Sequence, residues 1–285
     1  MNKATGRILF PIVVVVSGFI AACTSSTPTN SNQAQSNQSK PQPATTHRAA
    51  SIGVYRPSIS TFYLSNSASS IAVDWTVGMG VNGDIPVTGD WDGDGRWTVG
   101  VYRPGDSTFY LRNDNSSGEA NLIVPFGAKG DIPIVGDWDG NGTVTIGVYR
   151  RSNSTFYLRN SNAPGEPDLT VPFGMSGDIP VAGDWDGNGS VTIGVYRPSA
   201  STFFLRNTNS TGAPDVSTPF GTSGDIPVAG DWDGNGSVTI GVYRSNEGTF
   251  YLRNANSTGQ PDIIAVLGVK GDLPVVGNWK AAATP

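Results

Sequence analysis

The sequence predicts an all-β protein, a five-bladed β-propeller made of four-stranded blades. Three observations support this prediction: a repeat of 47 residues, four strand-like runs in each repeat, and chain ends that complement each other. Gly-Val-Tyr-Arg begins at Gly53, Gly100, Gly147, Gly194 and Gly241, and Gly-(Asp/Asn)-Trp begins at Gly89, Gly136, Gly183, Gly230 and Gly277. A period of roughly 40–50 residues is typical of a propeller or a solenoid.

The third repeat illustrates the strand pattern of one unit. Alternating or β-branched runs occupy residues 146–150, 154–159, 169–173 and 179–182, and turn residues separate them. The runs are short and evenly spaced, and none has the periodicity of a helix. Four strands in each repeat predict one propeller blade.

The two ends of the repeat region complement each other. No Gly-Asp-Ile-Pro-Val segment precedes Ile52, whereas residues 271–279 supply one such segment after the last complete repeat. Pairing of this C-terminal strand with the first repeat would close the ring and leave no open edge. An open solenoid would instead need polar caps, and the sequence contains no such caps. We therefore expect a closed, monomeric ring over residues 51–285.

Composition narrows the classes of function. Charged residues make up 14% of the chain, and its 37 Gly and 20 Pro suit a fold with many tight turns. Residues 1–50 hold four of the 18 basic residues and none of the 23 acidic ones, so residues 51–285 carry a net charge of −9. Such a domain repels phosphate backbones, and we expect no nucleic-acid partner. The single histidine, His47, lies in a low-complexity stretch, so we predict no Ser-His-Asp or Cys-His catalysis and no enzyme.

Residues 1–22 have the order of a secretory signal peptide: a basic start, an apolar run, then small residues. The apolar run of about 15 residues is shorter than the roughly 20 that a membrane-spanning helix needs. The segment Ile20-Ala21-Ala22-Cys23 resembles the lipobox of bacterial lipoproteins. The resemblance implies cleavage before Cys23, diacylglycerol on its thiol and a membrane anchor. The alternatives are an ordinary signal peptide with a chance cysteine, or an uncleaved anchor.

Residues 23–50 are rich in Ser, Thr, Asn, Gln and Pro, and they predict a disordered tether. A flexible chain of this length has a root-mean-square reach of about 30 Å. Thr24, rather than Asp, follows the cysteine. In the lipoproteins that the segment resembles, this favours the outer membrane over the inner one. We therefore expect a lipid-anchored, extracytoplasmic protein of the cell envelope, at the outer membrane or the cell surface.

Four acidic, glycine-rich loops recur at one place in the repeat. Oxygen-bearing side chains at alternate positions, with glycines that permit a sharp bend, suit a hard cation such as calcium. The candidate metal ligands are Asp90, Asp92, Asp94, Asp137, Asp139, Asn141, Asp184, Asp186, Asn188, Asp231, Asp233 and Asn235. The alternative is a metal-free hairpin turn held by hydrogen bonds from the backbone to the Asp and Asn side chains.

The loops and their flanking segments resemble the repeats of FG-GAP and VCBS-type propellers. Gly-Asp-Ile-Pro-Val precedes the loop, with Ile in place of Val before the second loop, and Ile-Gly-Val-Tyr-Arg-Pro-Ser follows it at residues 193–199. The resemblance covers residues 51–280 and implies a calcium-bearing β-propeller, usually extracellular. That family usually has Asp at the ninth loop position, where this chain has Thr98, Thr145, Thr192 and Thr239. The substitution removes a charge and a carboxylate ligand from each loop, which weakens the case for calcium but not for the loop shape.

Two further sets of residues recur once in each repeat. We predict that Trp91, Trp138, Trp185, Trp232 and Trp279 pack between blades rather than stack on sugars. On the face opposite the acidic loops, we predict structural ion pairs between a recurring arginine and a recurring aspartate. The alternative is that these residues form five equivalent ligand pockets. The residues are Arg56, Arg103, Arg150, Arg197 and Arg244, and Asp84, Asp131, Asp178, Asp225 and Asp272.

Fold alone does not define function. The leading hypothesis is a non-catalytic binding or adhesion module whose repeated sites make multivalent contact with a glycan or protein ligand outside the cell. One alternative is an envelope-anchored, glycosidase-like hydrolase with a pair of carboxylates. Asp74 and Glu119 depart from the repeat, but both lie in loop-like or edge contexts. The other alternative is a purely structural surface protein.

Overall fold

The computed structural model describes residues 47–70 and 72–280 and confirms the five-bladed β-propeller. Its strands form five antiparallel sheets of four strands each. Within the described residues, no helix is long and apolar enough to cross a membrane. The predicted signal peptide, Cys23 and the part of the predicted tether before His47 lie outside the described residues.

The strands follow each other around the ring in chain order, with one short 3₁₀ turn at Pro57–Ile59 among the described residues. They are β1 (Ser51–Arg56), β2 (Thr61–Leu64), β3 (Trp75–Gly78), β4 (Ile85–Gly89), β5 (Thr98–Arg103), β6 (Thr108–Leu111), β7 (Leu122–Pro125), β8 (Ile132–Gly136), β9 (Thr145–Arg150), β10 (Thr155–Leu158), β11 (Leu169–Pro172), β12 (Ile179–Gly183), β13 (Thr192–Arg197), β14 (Thr202–Leu205), β15 (Val216–Pro219), β16 (Ile226–Gly230), β17 (Thr239–Arg244), β18 (Thr249–Leu252), β19 (Ile263–Val266) and β20 (Leu273–Gly277). The blades are β20-β1-β2-β3, β4 to β7, β8 to β11, β12 to β15 and β16 to β19.

Burial falls from the inner to the outer strand of each blade. In the fourth blade every residue of β12 is buried, whereas β14 and β15 alternate between buried and more exposed positions. The inner strands also contact the inner strands of both neighbouring blades. Within this blade, Gly194 of β13 permits close packing of the neighbouring strands, because a Cβ there would lie 2.9 Å from Leu205 Cδ2 and 3.0 Å from Val181 Cγ2. The blades radiate from this packed centre, which leaves space between their outer strands.

The C-terminal strand closes the ring, as the chain ends predicted. Strand β20 pairs with β1 in an antiparallel register that places Ser51 opposite Gly277 and Tyr55 opposite Leu273. The first blade therefore combines one strand from the C-terminus with three from the N-terminus, and every blade has four strands.

The chain that enters β1 also contacts the ring. The backbone N–H of Ala50 donates to the carbonyl of Asp231 at 2.6 Å, and Arg48 Nη1 donates to the carbonyl of Lys280 at 2.7 Å. Ala50 is buried. Residues 47–50, which the sequence places in the tether, thus pack against the propeller on the face of the acidic loops.

Candidate functional site

The first acidic loop is organised around the buried side chain of Asp90. Its Oδ1 accepts hydrogen bonds from the backbone N–H groups of Gly93 and Asp94, at 2.8 and 3.0 Å, and its Oδ2 accepts one from Gly95 at 2.8 Å. Burial raises the pKa of the Asp90 carboxyl to about 6, although these hydrogen bonds act in the opposite direction. The first aspartate therefore shapes the turn from inside it.

The same arrangement recurs in the other three loops. The first aspartate of each loop accepts backbone N–H groups from the glycine-rich end of the loop, and burial raises its pKa. These residues are Asp137, Asp184 and Asp231. The hydrogen bonds from the loop backbone to the aspartate side chain, which the turn interpretation predicts, are thus present in all four loops.

Among the described residues, three carboxylates converge in the first loop. One carboxylate oxygen each from Asp90, Asp92 and Asp94 lies within 4.8 Å of the others, and Asp92 and Asp94 are exposed. In the second loop Asn141 replaces the third carboxylate. The Oδ1 of Asn141 accepts a backbone N–H at 2.8 Å, as Asp94 Oδ1 does in the first loop. Asp94 keeps a second carboxylate oxygen, whereas the amide nitrogen of Asn141 donates to Asp139 Oδ2 at 3.1 Å. The first loop therefore fits a hard cation better than the others do.

The remaining candidate ligands occupy equivalent places. In the third and fourth loops the third side chain is again an asparagine whose Oδ1 accepts a backbone N–H, so each of these loops has two carboxylates rather than three. The residues concerned are Asp184, Asp186 and Asn188, and Asp231, Asp233 and Asn235.

Threonine at the ninth loop position has a structural role. Thr98 is buried, and its hydroxyl lies 2.7 Å from the carbonyl oxygen of Arg112 and 3.2 Å from that of Gly89. A carboxylate in this place would meet two acceptor oxygens and would be repelled by them. The geometry repeats at Thr145, Thr192 and Thr239. The ninth position thus joins strands of its own blade, and its departure from the Asp of the resembled family has a local cause.

The recurring tryptophans pack within the ring, as predicted. Trp138 is 5% exposed, and its Nε1 donates to the carbonyl of Ile146. Its ring covers Gly136, where a Cβ would lie 2.8 Å both from that ring and from Val191 of the next blade. Trp91, Trp185, Trp232 and Trp279 are buried as well. Rings in this position are not available for stacking on a sugar.

The recurring arginines and aspartates form bidentate ion pairs on the opposite face, as predicted. Arg244 Nε and Nη2 donate to Asp225 Oδ1 and Oδ2 at 2.9 and 3.1 Å, and the buried Asp225 also accepts the backbone N–H of Thr222. The guanidinium of Arg244 stacks 4.5 Å above the ring of Tyr251. Equivalent stacks join Arg56 with Tyr63, Arg103 with Tyr110, Arg150 with Tyr157 and Arg197 with Phe204.

A cleft lies beside this stack, between neighbouring blades. The cleft between the fourth and fifth blades has a volume of about 520 Å³, and residues of both blades line it. Pro219 lines one side, and Arg244, Tyr251 and Ile264 line the other. An equivalent cleft of about 430 Å³ lies between the third and fourth blades, beside Arg197 and Phe204. The sequence offered one signal for these clefts, an aromatic residue seven positions after each recurring arginine.

The two acids thought to depart from the repeat are on the surface. Asp74 Oδ2 accepts the backbone N–H of Asn66 at 2.7 Å, and Asp168, Asp215 and Asp262 make the same contact in later blades. Asp74 is therefore the first copy of a repeated turn residue, contrary to the sequence analysis. Glu119 is exposed, and its backbone carbonyl accepts a hydrogen bond from Arg112.

No family model and no curated protein matches the chain. Among solved structures, it is similar to the "Crystal structure of BBS1N in complex with ARL6DN, soaked with lead", at 13% identity and with a TM-score of 0.38. That match covers 72% of this chain and 63% of the other, so it spans less than two thirds of the matched protein. The resemblance to FG-GAP and VCBS repeats rests on the motifs of the sequence alone.

Proposed function

We propose that the protein is a lipid-anchored, extracytoplasmic binding and adhesion module that holds glycans through equivalent sites around its ring. The observation that carries the proposal is the repetition of one surface arrangement, an arginine paired with a buried aspartate and stacked on an aromatic ring, in all five blades. Equivalent weak sites gain avidity when several of them engage one polymer. A propeller suits this task because its ring presents every site at a fixed spacing.

Anchoring and calcium are further parts of the proposal. Lipid on Cys23 would hold the ring at the envelope through the tether. Asp90, Asp92 and Asp94 would hold calcium, since their carboxylate oxygens converge. A bound cation would offset the mutual repulsion of these carboxylates and stiffen the loop.

Binding of the full chain, purified in detergent, to immobilised polysaccharides tests the proposal. We expect the chain to bind a polymer at least about 10²-fold more tightly than the corresponding oligosaccharide, because the polymer engages several sites at once. Equal affinity for polymer and oligosaccharide would contradict multivalent binding. Release of reducing ends during the assay would indicate the hydrolase instead, and the absence of binding to every glycan would favour the structural surface protein.

A further inference from the structure

We infer that the clefts between neighbouring blades are the ligand sites and that they bind neutral saccharides. This inference rests on the proposed function, because it assigns the place and the chemistry of the glycan contact. It concerns the clefts beside the stacks of Arg197 on Phe204 and of Arg244 on Tyr251, not the acidic loops.

The size of the clefts suits a short saccharide. The two clefts measure about 520 and 430 Å³, within the range of roughly 300–1,000 Å³ that is usual for small-molecule sites. They lie between outer strands, where the radiating blades separate, so a polymer can pass along the rim of the ring and enter more than one cleft.

The residues that line the cleft offer both apolar surface and hydrogen-bonding groups, and a sugar ring can contact both. In the cleft between the fourth and fifth blades, Pro219 and the 60% exposed side chain of Ile264 offer apolar surface. Tyr251 adds an aromatic ring, and Gln260 and Ser201 add hydrogen-bonding groups. A saccharide presents C–H groups on the faces of its ring and hydroxyl groups at its edge. Such a ligand can satisfy both kinds of lining, whereas a purely apolar ligand would leave the polar groups without partners.

Arginine supplies the fixed donor of each cleft. Asp225 holds Nε and Nη2 of Arg244, and the aromatic ring below fixes the guanidinium plane. The Arg244 side chain is 25% exposed, so part of this oriented group faces solvent in the cleft. A group that is positioned before the ligand arrives loses little conformational entropy on binding.

Charge favours a neutral ligand over an anionic one. Asp225 is buried and compensates the charge of Arg244, and Asp178 does the same for Arg197 in the neighbouring cleft. The side chain of Glu247 lies 3.5 Å from Arg244 Nη1 and adds a negative charge at the first of these clefts. Residues 51–285 carry a net charge of −9. A polyanionic glycan would therefore meet repulsion that the paired arginines do not offset.

Blocking the clefts one by one tests the inference. Ile264 on β19 lines the cleft between the fourth and fifth blades, and the exposed Ser217 holds the same position of the repeat on β15, one blade earlier. By this equivalence, we expect a tryptophan at either place to project from the outer strand toward the cleft on that side of its blade. The probes are dextran, mannan and laminarin as neutral glycans, alginate and heparin as polyanions, and an oligosaccharide of each neutral glycan. For the best neutral oligosaccharide, we expect S217W/I264W to lower the number bound to each full chain by two, because the cleft between the third and fourth blades and the cleft between the fourth and fifth blades are both filled.

Two further variants keep the test decisive. A255W places a tryptophan at an exposed loop position that does not line the cleft, and it should leave the stoichiometry unchanged. Q260W places a tryptophan at the exposed rim of the cleft between the fourth and fifth blades and should remove one site. Because Gln260 lies in a loop, this result would not depend on any effect of I264W on strand β19. Melting temperatures of all variants should stay within about 2 °C of the parent, because the altered positions are exposed.

The outcomes separate this inference from the proposed function. Loss of sites in the cleft variants alone supports it. Unchanged neutral-glycan binding in S217W/I264W and Q260W would overturn the cleft assignment but leave a glycan-binding module in place. Tighter binding of alginate or heparin would overturn the neutral-ligand assignment. Failure of the parent chain to bind any probe would overturn both the inference and the proposed function.

Discussion

Removal of the closing strand should open the ring. We compare a chain that ends at Lys270 with one that ends at Lys280. The shorter chain loses β20 and Asp272, the partner of Arg56, whereas the longer chain keeps both and lacks only residues 281–285. The pair therefore isolates ring closure from the mere shortening of the C-terminus.

The expected loss of stability follows from what the segment buries. Leu273, Val275, Val276 and Trp279 are each at most 8% exposed. Burial of a large apolar side chain contributes about 1.5–3 kcal/mol, so these four together contribute about 6–12 kcal/mol. A folded domain is typically stable by about 5–15 kcal/mol in total. The loss is thus comparable to the whole stability of the ring, and the exposed edge of β1 would also invite aggregation.

Thermal unfolding and hydrogen exchange measure the effect. The chain that ends at Lys280 should melt cooperatively near the temperature of the full chain. The chain that ends at Lys270 should aggregate or lose its cooperative transition, and the amides of β1 that pair with β20 should lose protection first. A chain ending at Lys270 that melts cooperatively within about 2 °C of its longer counterpart would refute closure by β20.

Three further predictions concern the anchor, the loops and the blade interior. The substitution C23S should move the protein from the membrane fraction to the soluble fraction, and unchanged fractionation and mobility would contradict lipidation. Calcium at ten to a hundred times its dissociation constant should stabilise the full chain by about 1.4–2.7 kcal/mol for each site relative to excess chelator, with less effect from magnesium. The double variant D92N/D94N should lose the contribution of the first loop; melting curves that coincide in calcium and chelator would identify metal-free turns. T145V should cost about 1–2 kcal/mol in urea unfolding, because it removes a buried hydroxyl that bonds to backbone carbonyls, whereas the exposed T170V should change stability by less than about 0.5 kcal/mol.

The resemblance of the loops to calcium-binding repeats illustrates the limit of a motif. The spacing of Asp90, Asp92 and Asp94 indicated a turn with converging oxygens, and these oxygens do converge. The motif did not distinguish this loop from the one with Asn141, whose amide nitrogen donates to Asp139 where Asp94 has a second carboxylate oxygen. The motif also did not reveal why Thr98 stands at the ninth position. The two carbonyl groups that accept hydrogen bonds from its hydroxyl belong to other parts of the blade.

The sequence by itself determined the number of blades, their strands and the closure of the ring. A 47-residue period without insertions repeats every local preference five times. The first repeat lacks its first strand and the C-terminus carries an extra copy of it, so pairing of the two ends is the arrangement that leaves no open sheet edge. The tertiary structure alone decided which repeated residues are accessible. Trp138 is buried between blades and Tyr251 borders a cleft, although both recur as one aromatic residue in each repeat. The physical reason is radial geometry. Inner strands meet and exclude solvent, while outer strands diverge. The local sequence does not determine how far a side chain lies from the ring axis.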